Sequence, residues 1–336
     1  MCTLTVGIPV YNGMPFLPES IQSLLMQTCN DFEVLAIDDG STDGSLEYLL
    51  SLKDKRLRVL SQTKRGLTQT LNRMLREVDT PWLIRQDADD VSYPRRIQLI
   101  RDNIREFADA GMFYSYARYH SNGRSLATFR TTRASPEELR RLTQSGYLLA
   151  ICHPTVTLNV NKTLAIGAYR FDLHVEDLDL WWRMALNYEI RLVPEMTVGF
   201  RLNERSVSTR NLESQAVNAL YVQYLLLSHL WGLRPQAYEI VREALTKLVD
   251  RGRLRSRHRI RLAQIDSAKG NYVMALRNGL AGIRAAPLHF LTRVAYEFMS
   301  DSAAVNGVNP RVFTQYRRLL WPHENGCSDL DFQAAR

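Results

Sequence analysis

Trp82-Leu83-Ile84-Arg85-Gln86-Asp87-Ala88-Asp89-Asp90 is the stretch on which the reading of this chain turns. Trp82 to Arg85 is a short, mostly apolar strand, and it runs out into an acidic cluster. Carboxylates at i and i+2 of an extended end can both turn toward one cation. Mg2+ and Mn2+ prefer such oxygen ligands, commonly one or two carboxylates completed by water and substrate phosphates. A cation held there can neutralise a diphosphate. The plain alternative is a solvated acidic turn, or a helix start before Pro94. What weighs between them is where the strand lies.

Working outward, the first 110 residues alternate strand and helix. Leu4 to Val10, Glu33 to Ile37 and Leu57 to Leu60 read as strands. Pro15 to Thr28 reads as a helix, with Leu17, Ile21, Leu24 and Leu25 at i, i+4, i+7 and i+8. A helix runs to about Leu52, another carries Leu67, Leu71, Met74, Leu75 and Val78, and Pro94 to Phe107 is helical again. This alternation implies a parallel sheet with helices on both faces. In such sheets ligands bind beyond the carboxyl ends of the strands. Three polar segments are therefore expected on one edge: Pro9-Val10-Tyr11-Asn12, Asp38-Asp39 and Asp87-Ala88-Asp89.

The section from 111 to 210 is less regular. Met112 to Tyr119 reads as a strand, Pro136 to Thr143 as a helix, and His153 to Val160 as extended. Glu176 to Leu186 reads as helical and Ile190 to Leu202 as extended. From 211 to 336 the pattern is helical, and Leu220, Tyr224, Leu227 and Trp231 form one stripe. Gly270-Asn271-Tyr272 followed by Ala275-Leu276 has the look of a single tetratricopeptide unit, which is not a repeat array.

Composition is that of a globular protein, 45% hydrophobic and 23% charged. The four cysteines, Cys2, Cys29, Cys152 and Cys327, are too scattered for a zinc site or a disulfide framework. Reduced thiols and a cytoplasmic setting are the simplest expectation. Met1-Cys2-Thr3 leads into a strand without a basic leader. The most apolar later stretch, Ala219 to Leu233, is too short to span a bilayer.

Asp38-Asp39-Gly40-Ser41-Thr42-Asp43 is a second acidic cluster. Gly40 permits a tight turn, and Ser41, Thr42 or Asp43 can cap the next helix. Capping leaves Asp38-Asp39 unexplained, and a carboxylate there can accept hydrogen bonds from a nucleobase N–H or ribose hydroxyls. Glu176-Asp177 opens a helix, where acids favour the N-terminal dipole. A carboxylate at a cleft edge is also a candidate general base.

Read in order, Val6-Gly7-Ile8-Pro9-Val10-Tyr11-Asn12, Gln27-Thr28, Asp31-Phe32-Glu33-Val34, Asp38 to Asp43, Asp87 to Asp90 and Glu176-Asp177-Leu178-Asp179-Leu180-Trp181 resemble glycosyltransferase family 2, the inverting enzymes of GT-A fold. The resemblance runs from about residue 3 to 210, is closest over the first 100 residues, and fades beyond 210. It implies a GT-A domain over 1–210, with a nucleotide-binding half (1–110) and an acceptor-side half (111–210), and then a mostly α-helical region (211–336). It implies that Pro9, Tyr11 and Asp39 hold the nucleoside, with Asn12 and Asp38 beside them and Arg65 near the base. Asp87, Ala88 and Asp89 correspond to the metal and diphosphate motif, with Asp87 and Asp89 binding Mn2+ or Mg2+. Asp177 corresponds to the catalytic base. On the acceptor side stand His153, Glu176, Trp181, Arg201 and Asn203. Where the family often has Arg-x-His, this chain has Arg201-Leu202-Asn203, and an asparagine is a poor ligand for such a metal. The Gln-x-x-Arg-Trp motif of processive synthases is missing.

The expected partners are a nucleotide diphosphate sugar, UDP-linked by preference, and a glycan or lipid-linked acceptor of cell-surface polysaccharide or lipopolysaccharide assembly. The net charge of +8 favours anionic partners. Part of it is local: Arg251, Arg253, Arg255, Arg257, Arg259 and Arg261 alternate through one run. That run reads as a solvated face, or as a peripheral contact with an anionic membrane. Nucleic acid ranks last, because no aromatic-interleaved surface or helix-turn-helix accompanies it. Two rivals stand beside the transferase. A nucleotidyltransferase would show a Gly-rich basic loop after the first strand, which Tyr11-Asn12-Gly13-Met14-Pro15 is not. A non-catalytic sugar-nucleotide binder would not need Asp87, Asp89 and Asp177 together.

Overall fold

A computed structural model describes residues 4–121, 123–202, 212–295 and 304–323. Strands β1 (Leu4–Val10), β2 (Glu33–Asp38), β3 (Leu57–Ser61) and β4 (Trp82–Arg85) alternate with helices α1 (Leu17–Leu25), α2 (Ser45–Ser51) and α3 (Leu67–Glu77). They pair in the order β3-β2-β1-β4, all parallel. β1 is buried along its whole length, as a strand covered on both faces must be. One core, with Leu4, Ile8, Leu17 and Ile21, lies on one face. A second, with Leu35, Ile37, Leu71 and Met74, lies on the other.

After β5 (Val91–Ser92) and α4 (Arg96–Glu106) the sheet ceases to be parallel. β6 (Met112–Ser121) and β7 (Arg124–Thr128) form a hairpin. Then follow α5 (Pro136–Gln144), β8 (Leu148–Leu149), β9 (Thr157–Asn159), α6 (Val160–Ala165), α7 (Glu176–Asn187) and β10 (Ile190–Arg201). The sheet continues β4-β9-β6-β10-β5, with β9 antiparallel to both β4 and β6. The expectation of one extended segment over His153 to Val160 is corrected here. His153–Thr155 is a turn of 3-10 helix, only Thr157–Asn159 is strand, and Asn159 caps α6 through Lys162 N–H. Pro154 and the Thr155 hydroxyl, which donates to Cys152 O, suit a tight turn.

Because β9 runs against β4 and β6, the latter two point the same way. The carboxyl ends of β1, β2, β4, β6 and β10 therefore share one edge.

The helical region comprises α8 (Leu212–Leu230), α9 (Tyr238–Lys247), α10 (Arg251–Ala268), α11 (Tyr272–Ala285), α12 (Pro287–Ala295), α13 (Arg311–Gln315) and α14 (Arg317–Leu320). Leu220, Tyr224 and Leu227 are buried as the helical stripe requires, but α8 is apolar nearly all round. Val222 and Leu226 face the core under the sheet, while Leu220 and Tyr224 face Leu245, Phe313 and Trp321. The chain then returns: β11 (Val305–Asn306) pairs with β8, and Gln223 bonds to Gly146 O and to both Val308 N–H and Val308 O. None of the described helices is long and apolar enough to cross a membrane.

Candidate active site

The loops after β1 and β2 are tied to each other. Asn12 takes a left-handed φ of 51°, and its side-chain Oδ1 accepts Thr42 N–H at 2.8 Å. Asn12 N–H donates to Ser41 Oγ, and Met14 N–H to Asp43. Asp43 also accepts the Ser45 hydroxyl, as a cap of the α2 entry would. Asp38 accepts Gly40 and Ser41 N–H and the Ser61 hydroxyl. Asp39 accepts Gln62 Nε2 at 2.7 Å, Arg65 N–H at 2.8 Å and Gly66 N–H at 2.8 Å. It is thus the anchor of the 62–66 segment. A side chain at Gly40, where φ is +76°, would meet Lys64 N at 2.9 Å, so only glycine lets these loops close.

Of the residues expected to hold a nucleoside, Pro9 is buried inside β1 and the Asp39 carboxylate is occupied by its own loop. Tyr11 remains open, 45% exposed, with Lys64 Nζ 4.0 Å from its ring centroid. The Arg65 side chain is exposed beside them.

Beyond β4 the chain folds around a buried arginine. Arg96 is fully buried and donates to Gln86 Oε1, Ser92 Oγ, Arg85 O and Pro154 O, so it fixes the floor under the acidic run. Burial pushes its guanidinium down to about 9. Ala88 packs near Gly13, which joins the acidic run to the β1 loop. Asp90 turns inward and accepts Arg201 N–H. Arg201 also donates to Asp89 O and forms an ion pair with Glu19. The expectation that Arg201 faces the acceptor is corrected by these contacts: its guanidinium braces the acidic loop. Asn203 lies outside the described residues.

Asp87 and Asp89 complete the acidic run. Asp87 is paired with Arg85 at 2.6 Å and its side chain is 30% exposed. Burial, and then the charge of Asp87, push the Asp89 carboxyl up to about 6. Among the described residues no three His, Cys, Asp or Glu side chains form a metal-holding group. The pair nonetheless fits a hard cation that keeps several non-protein ligands. Two carboxylates that repel one another are relieved by a divalent charge between them.

Arg85 links this pair to the start of α7. It is almost wholly buried, and Nε and Nη1 have no hydrogen-bond partner among the described residues. Its charge acts on Asp87, Tyr169, Glu176 and Asp177 alike. Glu176 and Asp177 begin α7. Burial, then the neighbouring Asp177, push Glu176 up to about 8, while burial pushes Asp177 up to about 6. His153 Nε2 lies 2.9 Å from the Tyr169 hydroxyl, and Nδ1 lies 3.9 Å from Glu176. Burial and then Arg85 hold its imidazole well below the usual histidine range, so it is neutral. Trp181 is corrected from an acceptor contact to core: it is completely buried and meets the His153 ring edge-on. A ring without an open face cannot stack on a sugar.

Two tethers hold the segment before α7 and its first turn in place. Asn72 on α3 donates to Tyr169 O at 2.8 Å and accepts Tyr169 N–H at 3.0 Å, while the Thr68 hydroxyl donates to Phe171 O. Asp179, fully buried, accepts from Arg170, Arg183 and Trp182 Nε1. Arg85, Arg96, Asn72, Tyr169 and Glu19 are the site residues that the sequence reading missed. Only Arg85, adjacent to the acidic motif, carried a local signal.

A mixed sheet with its acids and open loops on one carboxyl edge is the GT-A-type glycosyltransferase fold. Residues 5–162, just under half of the chain, match the model for "Glycosyl transferase family 2". A Bacillus subtilis protein named as a glycosyltransferase, EpsE, is 27% identical over 195 residues, covering 54% of this chain and 66% of that one. The chain thus matches just under two thirds of that relative's length. The first 349 residues of S. aureus TarS, solved with UDP-GlcNAc, superpose with a TM-score of 0.51 at 17% identity, over 91% of this chain and 95% of that one. The mannosyltransferase PcManGT of Pyrobaculum calidifontis, solved with GDP-Man and Mn2+, gives 0.52 at 15% identity, over 89% and 88%.

Proposed function

We propose that this protein transfers a sugar from a nucleotide diphosphate sugar, UDP-linked by preference, to an acceptor hydroxyl with inversion at the anomeric carbon. The observation that carries the reading is the gathering of Asp87 and Asp89 with Glu176 and Asp177 around one buried arginine, Arg85. The donor's nucleoside lies on the side of Tyr11, Asn12 and Arg65, and its diphosphate lies by Asp87 and Asp89. Those two carboxylates would hold Mn2+ or Mg2+, which stabilises the leaving diphosphate. The fold neighbours solved with nucleotide sugars, one of them with Mn2+, support this assignment of ligand class.

Asp177 takes the proton from the acceptor hydroxyl, whose oxygen then attacks the anomeric carbon from the side opposite the diphosphate. Asp177 is suited to this because its carboxyl, pushed up to about 6, is still ionised at neutral pH yet basic enough to accept a proton. Glu176, pushed up to about 8, stays protonated beside it, so the two acids do not compete as bases. His153 is buried and neutral and acts through Glu176 and Tyr169 as a positioning group. The acceptor is a glycan or a lipid-linked glycan of surface polysaccharide assembly.

The test is a panel of nucleotide sugars with Mn2+, scored by release of nucleotide diphosphate, for wild type and Asp89→Ala. One donor should respond, and Asp89→Ala should abolish its turnover. Near-wild-type turnover of Asp89→Ala removes the metal assignment. Donor binding by wild type without release from any donor, even with acceptor extracts, favours a non-catalytic binder.

A further inference from the structure

The basic excess and the exposed apolar surface of this protein coincide. Residues 251–295 hold ten arginines and lysines against one acid, Asp266, an excess larger than the +8 of the entire chain. Among the described residues, eight of the fifteen exposed large apolar side chains lie between Tyr272 and Leu291. Val273, Leu276, Leu280 and Ile283 recur at i, i+3, i+7 and i+10, a single stripe of α11. Arg277 and Arg284 flank it and are exposed. Leu288 and Leu291 extend the apolar surface onto α12, at 73% and 63% exposure. On α10, Arg251 and Arg255 are exposed, whereas Arg259 packs at Gly282 and donates to Asn278 on the buried face of α11.

This helical unit is fixed to the edge that carries the candidate site. Ile265 packs with Tyr119 and Leu202, one residue beyond the Arg201 that braces the acidic loop. Arg124 of the β6–β7 hairpin donates to the Tyr272 hydroxyl at 3.1 Å. Leu126 and Ala127 border an apolar crevice with Ile260, Ala263 and Phe290.

We propose that α10, α11 and α12 form a docking surface for an anionic lipid bilayer. Leu276, Leu280, Leu288 and Leu291 enter the boundary between headgroups and acyl chains, and the arginines meet lipid phosphates. An apolar stripe bordered by arginines suits such an interface, because the guanidinium groups stay at headgroup level while their stems lie along apolar surface. A second copy of the chain fits poorly, since it would set one arginine cluster against another. Docking would hold the carboxyl edge of the sheet near the bilayer, where a lipid-linked acceptor resides. That consequence rests on the proposed transfer reaction, whereas the docking itself does not.

The experiment is co-sedimentation of the full chain with phosphatidylglycerol–phosphatidylcholine vesicles and with phosphatidylcholine vesicles. Wild type should bind the anionic vesicles about tenfold or more tightly than the neutral ones. The double variants Leu276→Glu/Leu280→Glu and Arg277→Glu/Arg284→Glu should each lose about tenfold or more of that binding. Both should keep the wild-type melting temperature and donor affinity, because all four side chains are exposed. Equal affinity for both vesicle types, or no binding to either, overturns the proposal. So does indifference to the leucine changes, which leaves plain electrostatics. A wild-type dimer in sedimentation velocity that the leucine variants abolish also overturns it, by giving the surface to a second copy. Because vesicle binding needs no turnover, a failure here is separable from a failure of the transfer reading.

Discussion

Glu176 and Asp177 are chemically similar neighbours that the fold separates. Burial acts on both, but Glu176 also feels the charge of Asp177 and is pushed up to about 8, against about 6 for Asp177. Such a pair titrates together, so a pH profile reports the pair. A base must be deprotonated to act, so kcat/KM should rise through about pH 6 and fall about tenfold per unit below it. Glu176→Gln mimics the protonated acid and should keep activity within a few fold near neutrality. The same group makes a stability prediction. A carboxyl whose folded pKa is raised from 4.5 to about 8 binds its proton more tightly in the native state. Its stabilising share is full below the ordinary value and declines as pH rises toward about 8. The melting temperature of Glu176→Gln relative to wild type should therefore increase between those two pH values, and a flat difference would contradict the buried, protonated glutamate. At this scale the acids were legible because a strand end and a helix start mark them locally. Arg85 was half-legible, and the unpartnered state of its Nε and Nη1 is visible only in three dimensions.

The elements fix the start of α7, where we propose that the base stands. α3 grips the segment before α7 through Asn72 and Tyr169, residues 97 positions apart, a separation over which helical periodicity carries no signal. Asn72→Ala removes two hydrogen bonds and should cost about 1–3 kcal/mol. Its kinetic mark should be a lower kcat with little change in donor affinity, read by steady-state rates and donor titration. Asp179 was legible only as an acid in the first turn of α7. Inside the fold it is the buried partner of Arg170 and Arg183. Asp179→Ala strands those guanidinium groups and should destabilise by about 3–5 kcal/mol, measured by urea unfolding. Strands β1 to β4 were legible because each is a short, largely apolar run bounded by turn residues. The antiparallel return of β9 was not, since three residues cannot display a period.

Among the described residues the molecule is a nine-stranded sheet and a two-stranded β8–β11 ribbon packed with the helical region. The stripe of Leu220, Tyr224 and Leu227 predicts a helix but not that α8 is shared between two cores. The return of residues 304–323 onto α8, with Trp321 Nε1 donating to Ser228 Oγ, has no sequence signature at all. The alternating arginines were legible as a basic run, while the neighbouring leucines became a surface only when α11 and α12 were seen to leave them uncovered. All of this supports the carboxyl edge of the sheet, where we propose that Asp87, Asp89 and Asp177 act together. The most direct test of that account is donor binding and sugar transfer measured side by side for wild type and Asp177→Asn, using the donor selected by the nucleotide-sugar panel. Transfer should fall by about 10²- to 10⁴-fold while donor affinity stays within about threefold. Transfer within a few fold of wild type would contradict it.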